Sequence, residues 1–360
     1  MNPIPFAIIG GGWRAEFYLR IARALPECFT VTGIYVRDAA KRATLQHTWN
    51  IPAADSIGAL RRTLQKPRFI VISVPSAVAC EYLGACAELK IPALGETPPA
   101  PTLGGLLRLH TTLTAKGARV QIAEQYAFQP HHAALLAIAH SGRLGNISQV
   151  QASVAHGCHA MHIMRRFLGA GFQNVTVEAR ARTAPLVEGP GRDGPPARER
   201  IVQDEQTFAR FDFENGRLGL HDFTYAQYFS WIRANRILVR GERGELDADN
   251  ARWLLSHDAP ISAPIVRHDA GQRTNLEGFY HKGYTLGAEW IYRNPLAPGR
   301  LADDEIAIAT CLLRMSEYAD DGDSFYDLRE ASQDQYLSLL MDEAVKTGQP
   351  AKSVTQPWAK

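Results

Sequence analysis

Six residues near the start constrain the fold more than anything else in the chain. Gly10-Gly11-Gly12-Trp13-Arg14-Ala15 fits the pattern G-x-G-x-x-[GA]. The apolar run Phe6-Ala7-Ile8-Ile9 leads into it, and residues 15–25 continue with helical spacing of Phe17, Leu19, Ile21, Ala22 and Leu25. In such a strand–turn–helix the first glycine permits the tight turn. Gly12 lets the backbone approach a pyrophosphate, and the small Ala15 lets the helix pack closely on a sheet. The start of the helix attracts phosphates. The spacing alone is a weak signal, and a bare glycine-rich turn is the competing reading. The pattern of the next hundred residues decides between them.

Strands and helices keep alternating to residue 123. Strands are expected over 29–36, 68–74, 91–94 and 119–123, and helices over 39–49, 57–64, 81–89 and 103–116. The stretch 68–74 is nearly all apolar, as in parallel strands buried on both faces. This is the pattern of a doubly wound α/β, Rossmann-type domain, which favours a nicotinamide dinucleotide bound over Gly10-Gly11-Gly12. After residue 124 the pattern changes. Helices are expected over 130–141 and 161–168, the latter stopped by Gly169. Strands at 147–154, 175–182, 206–213, 217–224, 237–240 and 244–246 mostly succeed one another without helices. They predict an α+β domain with a large, mainly antiparallel sheet. Residues 185–200, rich in Gly, Pro and Arg, read as a mobile loop or lid. Two helices, 303–318 and 332–346, come near the end, and the tail 349–360 reads as an extended segment packing across a neighbour. Two domains are therefore expected, 1–123 and 124–360, in keeping with a length of 360 residues.

Composition narrows the partners. The net charge is only +2, and the basic residues are mostly Arg scattered among acids, so nucleic acid is not an expected partner. The 5 cysteines are far apart with no CxxC pair, as in reduced thiols of a cytoplasmic protein. No apolar run approaches ~18 residues, and the first residues do not read as a secretory signal, so no membrane association is expected.

The strand over 29–36 ends in Val36-Arg37-Asp38. An acid at this point binds the ribose 2′-hydroxyl and repels a 2′-phosphate. Arg37 can pair with a 2′-phosphate and stack on adenine, which favours NADP. Asp38 as the ribose acid is the competing assignment and favours NAD.

Further segments carry a family likeness. Val74-Pro75-Ser76 and Gly95-Glu96-Thr97-Pro98 each come after a strand, and Glu124-Gln125-Tyr126 precedes Pro130. His156-Gly157-Cys158-His159 stands ahead of Phe167-Leu168-Gly169, and Gly241-Glu242-Arg243-Gly244 fits a strand turn. With the glycine turn, these make the chain similar to the Gfo/Idh/MocA oxidoreductases, which include glucose–fructose oxidoreductase and inositol dehydrogenase. The likeness covers most of the chain, least well at 183–200 and 255–300. It implies cofactor contacts from Gly10, Gly12, Trp13, Arg14, Arg37, Ser73, Pro75, Glu96 and Gln125. It implies His159 as the acid/base beside the nicotinamide, and a homodimer or homotetramer formed through the second domain's sheet. Three positions depart from the family pattern. Thr97 stands where the family has a catalytic Lys, Ala155 where it has an Asp, and His162 where a further Asp is usual. A Thr hydroxyl can hydrogen-bond but cannot serve as a base at neutral pH.

His159 is the first candidate for general acid/base, because imidazole titrates near working pH. The plainer alternative is a histidine that merely begins a helix. His156 could assist. Tyr126 could donate its phenol to a substrate oxygen or simply pack between domains. Thr97, His162 and Tyr225 are candidate substrate contacts. His156, His159 and His162 fan around a helix with no carboxylate to complete a ligand set, so no metal is expected. Cys158 and His159 are sequence neighbours and seldom would face each other, which makes Cys158 a buried thiol. The run Phe223, Tyr225, Tyr228, Phe229 and Trp231 reads as sheet packing, part of it lining a sugar site, while His221, Asp222 and Lys282 are polar candidates for substrate contact that read more readily as solvated surface. Together these expectations describe an NAD(P)-dependent oxidoreductase acting on a sugar, polyol or related carbonyl compound. Loss of the lysine keeps two alternatives open: a redox-neutral, glycoside-cleaving or eliminating enzyme with tightly bound NAD(P), or a non-catalytic cofactor-binding sensor.

Overall fold

A computed structural model describes residues 2–60, 62 and 66–360. The order begins β1 (Ile4–Ile9), α1 (Trp13–Ala24), β2 (Phe29–Tyr35), α2 (Ala39–Trp49), β3 (Ala53–Ala54), α3 (Ile57–Leu60), β4 (Phe69–Ile72), α4 (Ser76–Glu88), β5 (Ala93–Gly95), α5 (Leu103–Ala115) and β6 (Val120–Ile122). A 3-10 turn, Tyr126–Phe128, leads to α6 (Pro130–Ala139), β7 (Ile147–Ser153), α7 (Gly157–Leu168), β8 (Val175–Val187), β9 (Ile201–Phe213) and β10 (Leu218–Thr224). After the 3-10 turn Tyr225–Tyr228 come β11 (Arg236–Gly241), β12 (Gly244–Leu246), β13 (Asn250–Ser256), β14 (Ala259–Asp269), β15 (His281–Leu286) and β16 (Glu289–Arg293). The chain ends with α8 (Asp303–Ala319), α9 (Leu328–Thr347) and β17 (Ala351–Lys352). Of the helix expected over 57–64, residues 61, 63 and 64 lie outside the described residues.

The chain packs as two units. One takes Met1–Pro130, His268–Gly283 and Arg293–Gln333; the other takes His131–Arg267, Tyr284–Tyr292 and Asp334–Lys360.

In the first unit the described strands form a six-stranded parallel sheet in the order β3-β2-β1-β4-β5-β6. That is the doubly wound arrangement, in which the order reverses between β1 and β4 and ligands bind beyond the strand ends at that point. β1 sorts its side chains by alternation. Phe6 and Ile8 enter one buried cluster with Tyr18, Leu19 and Ile21 of α1. Ala7 and Ile9 enter the opposite cluster with Leu60, Tyr82, Leu83 and Leu109. Burial of one such large apolar side chain stabilises by about 1.5–3 kcal/mol. The first cluster is completed from far away in sequence. Ile306, Ile308, Leu312 and Met315 of α8 share it, and Arg14–Asp304 (3.4 Å) and Arg20–Glu305 (3.2 Å) pair α1 with the start of α8.

In the second unit the sheet runs β16-β15-β14-β13-β12-β11-β7-β10-β9-β8-β17. The pairings are mainly antiparallel, with β10 joining β7 in parallel. Helix α7 covers one face. A Cβ at Gly219 of β10 would collide with the Met164 sulfur of α7, so this close approach requires glycine.

Three expectations need correction here. The segment 185–200 is not all loop, because β8 and β9 stay paired as far as Val187 and Ile201, and Glu188 and Arg200 form an ion pair beyond them. The tail does not reach for a neighbour: β17 pairs with Thr176 and Val177 of β8, and Trp358 is fully buried. Strands β3 and β13–β16 were not expected at all. β14 alternates half-buried with exposed positions over 259–266, but it contains Pro260 and Pro264, residues that argue against a strand.

Candidate functional site

The glycine turn is shaped by backbone meeting backbone. Gly10 has φ +110°, and a Cβ there would collide with the Ser73 carbonyl oxygen at the end of β4. The Ser73 N–H donates to the Ile9 carbonyl at 2.8 Å, drawing the two strand ends together. Gly12 N-caps α1 without a side-chain cap, and nothing lies within 4 Å of where its Cβ would be. The first N–H groups of α1 have no side-chain cap and lie at the positive end of the helix dipole. That cradle fits a dinucleotide pyrophosphate. Pro75 N-caps α4 after β4, and Glu96 and Thr97 come directly after β5, so all three share the carboxyl edge of the sheet. Trp13 is 42% exposed, with its ring 4.6 Å from that of Phe17.

Beyond β2, Arg37 is exposed. Asp38 is engaged as the N-cap of α2, where its carboxylate accepts from the Lys41 N–H at 2.7 Å.

A half-buried charge network lies near the same sheet edge. The Tyr18 hydroxyl donates to Glu96 at 2.6 Å. Burial, then the Glu96 charge, pushes the Tyr18 phenol well above its ordinary range, so it keeps its proton. Burial disfavours the Arg14 guanidinium, but Glu96 and Asp304 together outweigh that and raise its pKa. Gln125 donates to the Ala123 carbonyl and accepts from Arg14, each at 3.1 Å. Tyr126 is 9% exposed, and its N–H donates to Glu124 at 3.0 Å. Tyr18 escaped the sequence reading because its place on the helix is indistinguishable from core.

In the second unit α7 begins at Gly157, four residues ahead of the expected start at 161. His156 becomes the N-cap and His159 sits on the first turn; both are half-buried. Their rings lie 5.3 Å apart and nearly perpendicular. The Tyr225 ring is 4.8 Å from His156. Tyr225 is 65% exposed, and burial of its inner part, then Asp342 and Cys158, raises its phenol pKa. The Tyr228 hydroxyl stands 2.6 Å from His156 Nδ1. The structure thus brings His156, His159 and Tyr225 together. His162, one turn further along, is 5% exposed, with Nδ1 3.4 Å from Asp334. Arg165 meets the other oxygen of Asp334 at 2.7 Å. Burial would raise the Asp334 carboxyl, but Arg165 and His162 hold it below its ordinary range.

Cys158 is buried, as expected, but it does approach its neighbour: its sulfur lies within 4.8 Å of a His159 ring nitrogen. His221 is not at the surface: it is 3% exposed, with Nδ1 lacking a hydrogen bond. Asp222 pairs with Arg236 at 2.6 Å and Lys282 with Glu277 at 2.7 Å. Tyr228 and Asp334 were invisible as site residues in the sequence. The first was one of several aromatics, and the second is 172 residues beyond His162.

Residues 4–124 match the family model for the Gfo/Idh/MocA oxidoreductases, described as an oxidoreductase family with an NAD-binding Rossmann fold. No curated protein matches the chain. Solved structures resemble it over nearly its whole length. An oxidoreductase from Agrobacterium radiobacter, solved with NAD+, L-tartaric acid and magnesium, is 16% identical over 97% of this chain and 98% of that one, with a TM-score of 0.69. A levoglucosan dehydrogenase in complex with NADH and levoglucosan is 16% identical over 98% and 99%, with a TM-score of 0.68. An apo scyllo-inositol dehydrogenase from Lactobacillus casei is 12% identical over 98% of each chain, with a TM-score of 0.64. At these identities the likenesses show the fold. The match over β1 to β6 shows more: residues 4–124 are similar to the NAD-binding Rossmann fold of that oxidoreductase family.

Proposed function

We propose that the protein is an NADP(H)-preferring oxidoreductase acting on a sugar, polyol or related carbonyl compound. The observation that carries this reading is the uncapped start of α1 over Gly12, open at the edge where β1, β4 and β5 end. Gly10, Gly12, Trp13, Arg14, Ser73, Pro75, Glu96 and Gln125 would hold the cofactor there. NADP is favoured over NAD because Asp38 is already committed to capping α2, while Arg37 stands exposed for a 2′-phosphate. The levoglucosan and scyllo-inositol dehydrogenases among the similar structures support a sugar or polyol as substrate.

When bound, the nicotinamide supplies the hydride acceptor or donor. The proton is left to the protein. His159 takes it from the substrate hydroxyl in oxidation and returns it in reduction. In the second unit His156 would donate a hydrogen bond to the reacting oxygen and Tyr225 would orient the substrate; in the first unit Tyr126 and Thr97 are the groups able to hold a substrate oxygen. The Thr97 hydroxyl can hold a substrate oxygen but not deprotonate it. His162, buried against Asp334, would serve the substrate through the helix it braces. The face of the second sheet away from α7 carries Leu220 and Leu238 in one row through Gln151, with Phe208 opposite Asp222, and would serve a homodimer or homotetramer.

The test is direct. The purified protein is assayed for bound cofactor and mixed with a panel of sugars and polyols while the nicotinamide absorbance is monitored. A net change with substrate supports the reading. Product formed without net change identifies the redox-neutral alternative, and cofactor binding without any chemistry identifies a sensor. Thr97, standing where the family has lysine, is the feature that keeps those two outcomes in view.

A further inference from the structure

The proposed reaction assigns no task to Tyr228. We infer that Tyr228 is a positioning residue that holds His156 as the neutral tautomer with its proton on Nε2, making His156 a hydrogen-bond donor rather than a base. The use made of that donor rests on the oxidoreductase reading; the tautomer itself does not.

The hydroxyl of Tyr228 lies 3.1 Å from the backbone nitrogen of His156 and 2.6 Å from its Nδ1. The backbone N–H can only donate, so it takes a lone pair of the phenol oxygen. The shorter contact can then be filled in two ways: the phenol donates to a bare Nδ1, or a protonated Nδ1 donates to the phenol. A phenol is the better donor of the two groups and a bare imidazole nitrogen the better acceptor. A hydroxyl that already accepts one hydrogen bond also donates more strongly. The phenol proton therefore points at Nδ1, and the imidazole proton resides on Nε2.

The two residues are built out from the adjacent ends of the paired parallel strands β7 and β10, which makes the contact rigid. Tyr228 closes the 3-10 turn Tyr225–Tyr228, capped by Thr224, whose side chain accepts from the Ala226 N–H at 3.2 Å. Gln227 accepts from the Thr224 N–H at 3.1 Å. Its amide nitrogen donates to the Ser153 carbonyl (3.1 Å), the Ser153 hydroxyl (3.2 Å) and the Ala234 carbonyl (3.1 Å). Ser153 is the last residue of β7, three before His156. The Phe223 ring packs 5.1 Å from that of Tyr228. Gln227 is 6% exposed, so this anchoring is shielded from water. The two neighbouring imidazoles then differ in role: His156 is held in one tautomer, and His159 exchanges the proton.

Nitrogen-15 spectra of the histidine rings test this, with His156→Asn identifying the relevant signals. The wild-type protein should show His156 protonated at Nε2 and bare at Nδ1. Tyr228→Phe, which keeps the ring and removes the hydroxyl, should yield a mixed or inverted pattern. Its kcat should fall about tenfold while KM stays within about twofold. A proton on Nδ1 in the wild type, or an unchanged pattern in Tyr228→Phe, overturns the inference. The wild-type spectrum decides even if the variant does not fold. A tautomer change in a protein that turns over no sugar or polyol leaves the positioning role intact and overturns the oxidoreductase reading instead.

Discussion

The turn at Gly10–Gly12 and the segment at His156–His159 solve the same local problem in opposite ways. Each lies where a buried strand runs into the start of a helix, and each helix begins without a side-chain cap. At Gly12 the helix start is left empty, and the site is defined by the side chains that are missing. At His156 the helix start is topped by an imidazole, with His159, Tyr225 and Tyr228 around it. An empty cradle needs only glycine and a strand end beside it. A side-chain cluster needs every member held by others, and here the holding residues come from β7, the turn after β10 and, for His162, Asp334 on α9.

The comparison can be broken by one substitution in each region. His159→Ala should cost about 10²–10⁴-fold in kcat, as removal of a general acid/base does, with NADP affinity unchanged. Gly12→Ala, which the backbone and the surrounding space both accept, should do the reverse. We expect it to weaken NADP binding about tenfold or more by filling the cradle, with a melting temperature close to that of the parent. If both variants lose cofactor affinity alike, the division between an empty site and a filled one does not hold.

An effect on stability rather than on binding or turnover comes from the buried side of the second sheet. Burial holds the His221 imidazole down at about 4 from an ordinary 6.5. Between those values the unfolded chain binds a proton that the folded chain refuses. Stability is therefore fully present above about pH 6.5 and is lost as pH falls towards about 4. The difference corresponds to about 3 kcal/mol at most. Unfolding curves at pH 7 and pH 5 should show this acid limb, and His221→Leu should flatten it. An equally steep limb in the variant assigns the loss to other groups.

The smallest expected effect sharpens the cofactor assignment. Arg37→Asp should reverse the preference from NADP towards NAD, by roughly tenfold in the ratio of affinities. An unchanged ratio would remove Arg37 from the ribose site.

Legibility in the sequence divides along the same contrast. Apart from β3, the Rossmann unit was legible through β6 because glycine, Ala15 and the apolar run of β4 answer to local rules of turn geometry and two-sided burial. The return of α8 to cover Phe6 and Ile8 was not, since an apolar helix face does not name the sheet it covers. The start of α7 was placed four residues late because Gly157 and His156 are poor helix signals, yet Gly157 takes φ +52° and the helix begins there. β8 and β9 extend past their apolar stretches because backbone pairing continues where Arg180, Arg182 and Glu205 face solvent. His156 and His159 were named from the family likeness, whereas Tyr228 and Gln227 required the fold, because their roles are hydrogen bonds to one strand end about 75 residues earlier.

The most direct measurement uses a reduced cofactor carrying deuterium at nicotinamide C4, supplied with carbonyl forms of sugars and polyols. The account predicts that deuterium appears on the carbinol carbon of the product, and that His159→Ala abolishes this transfer while still binding the cofactor. Product that carries no deuterium, with the label retained on the cofactor, would contradict it.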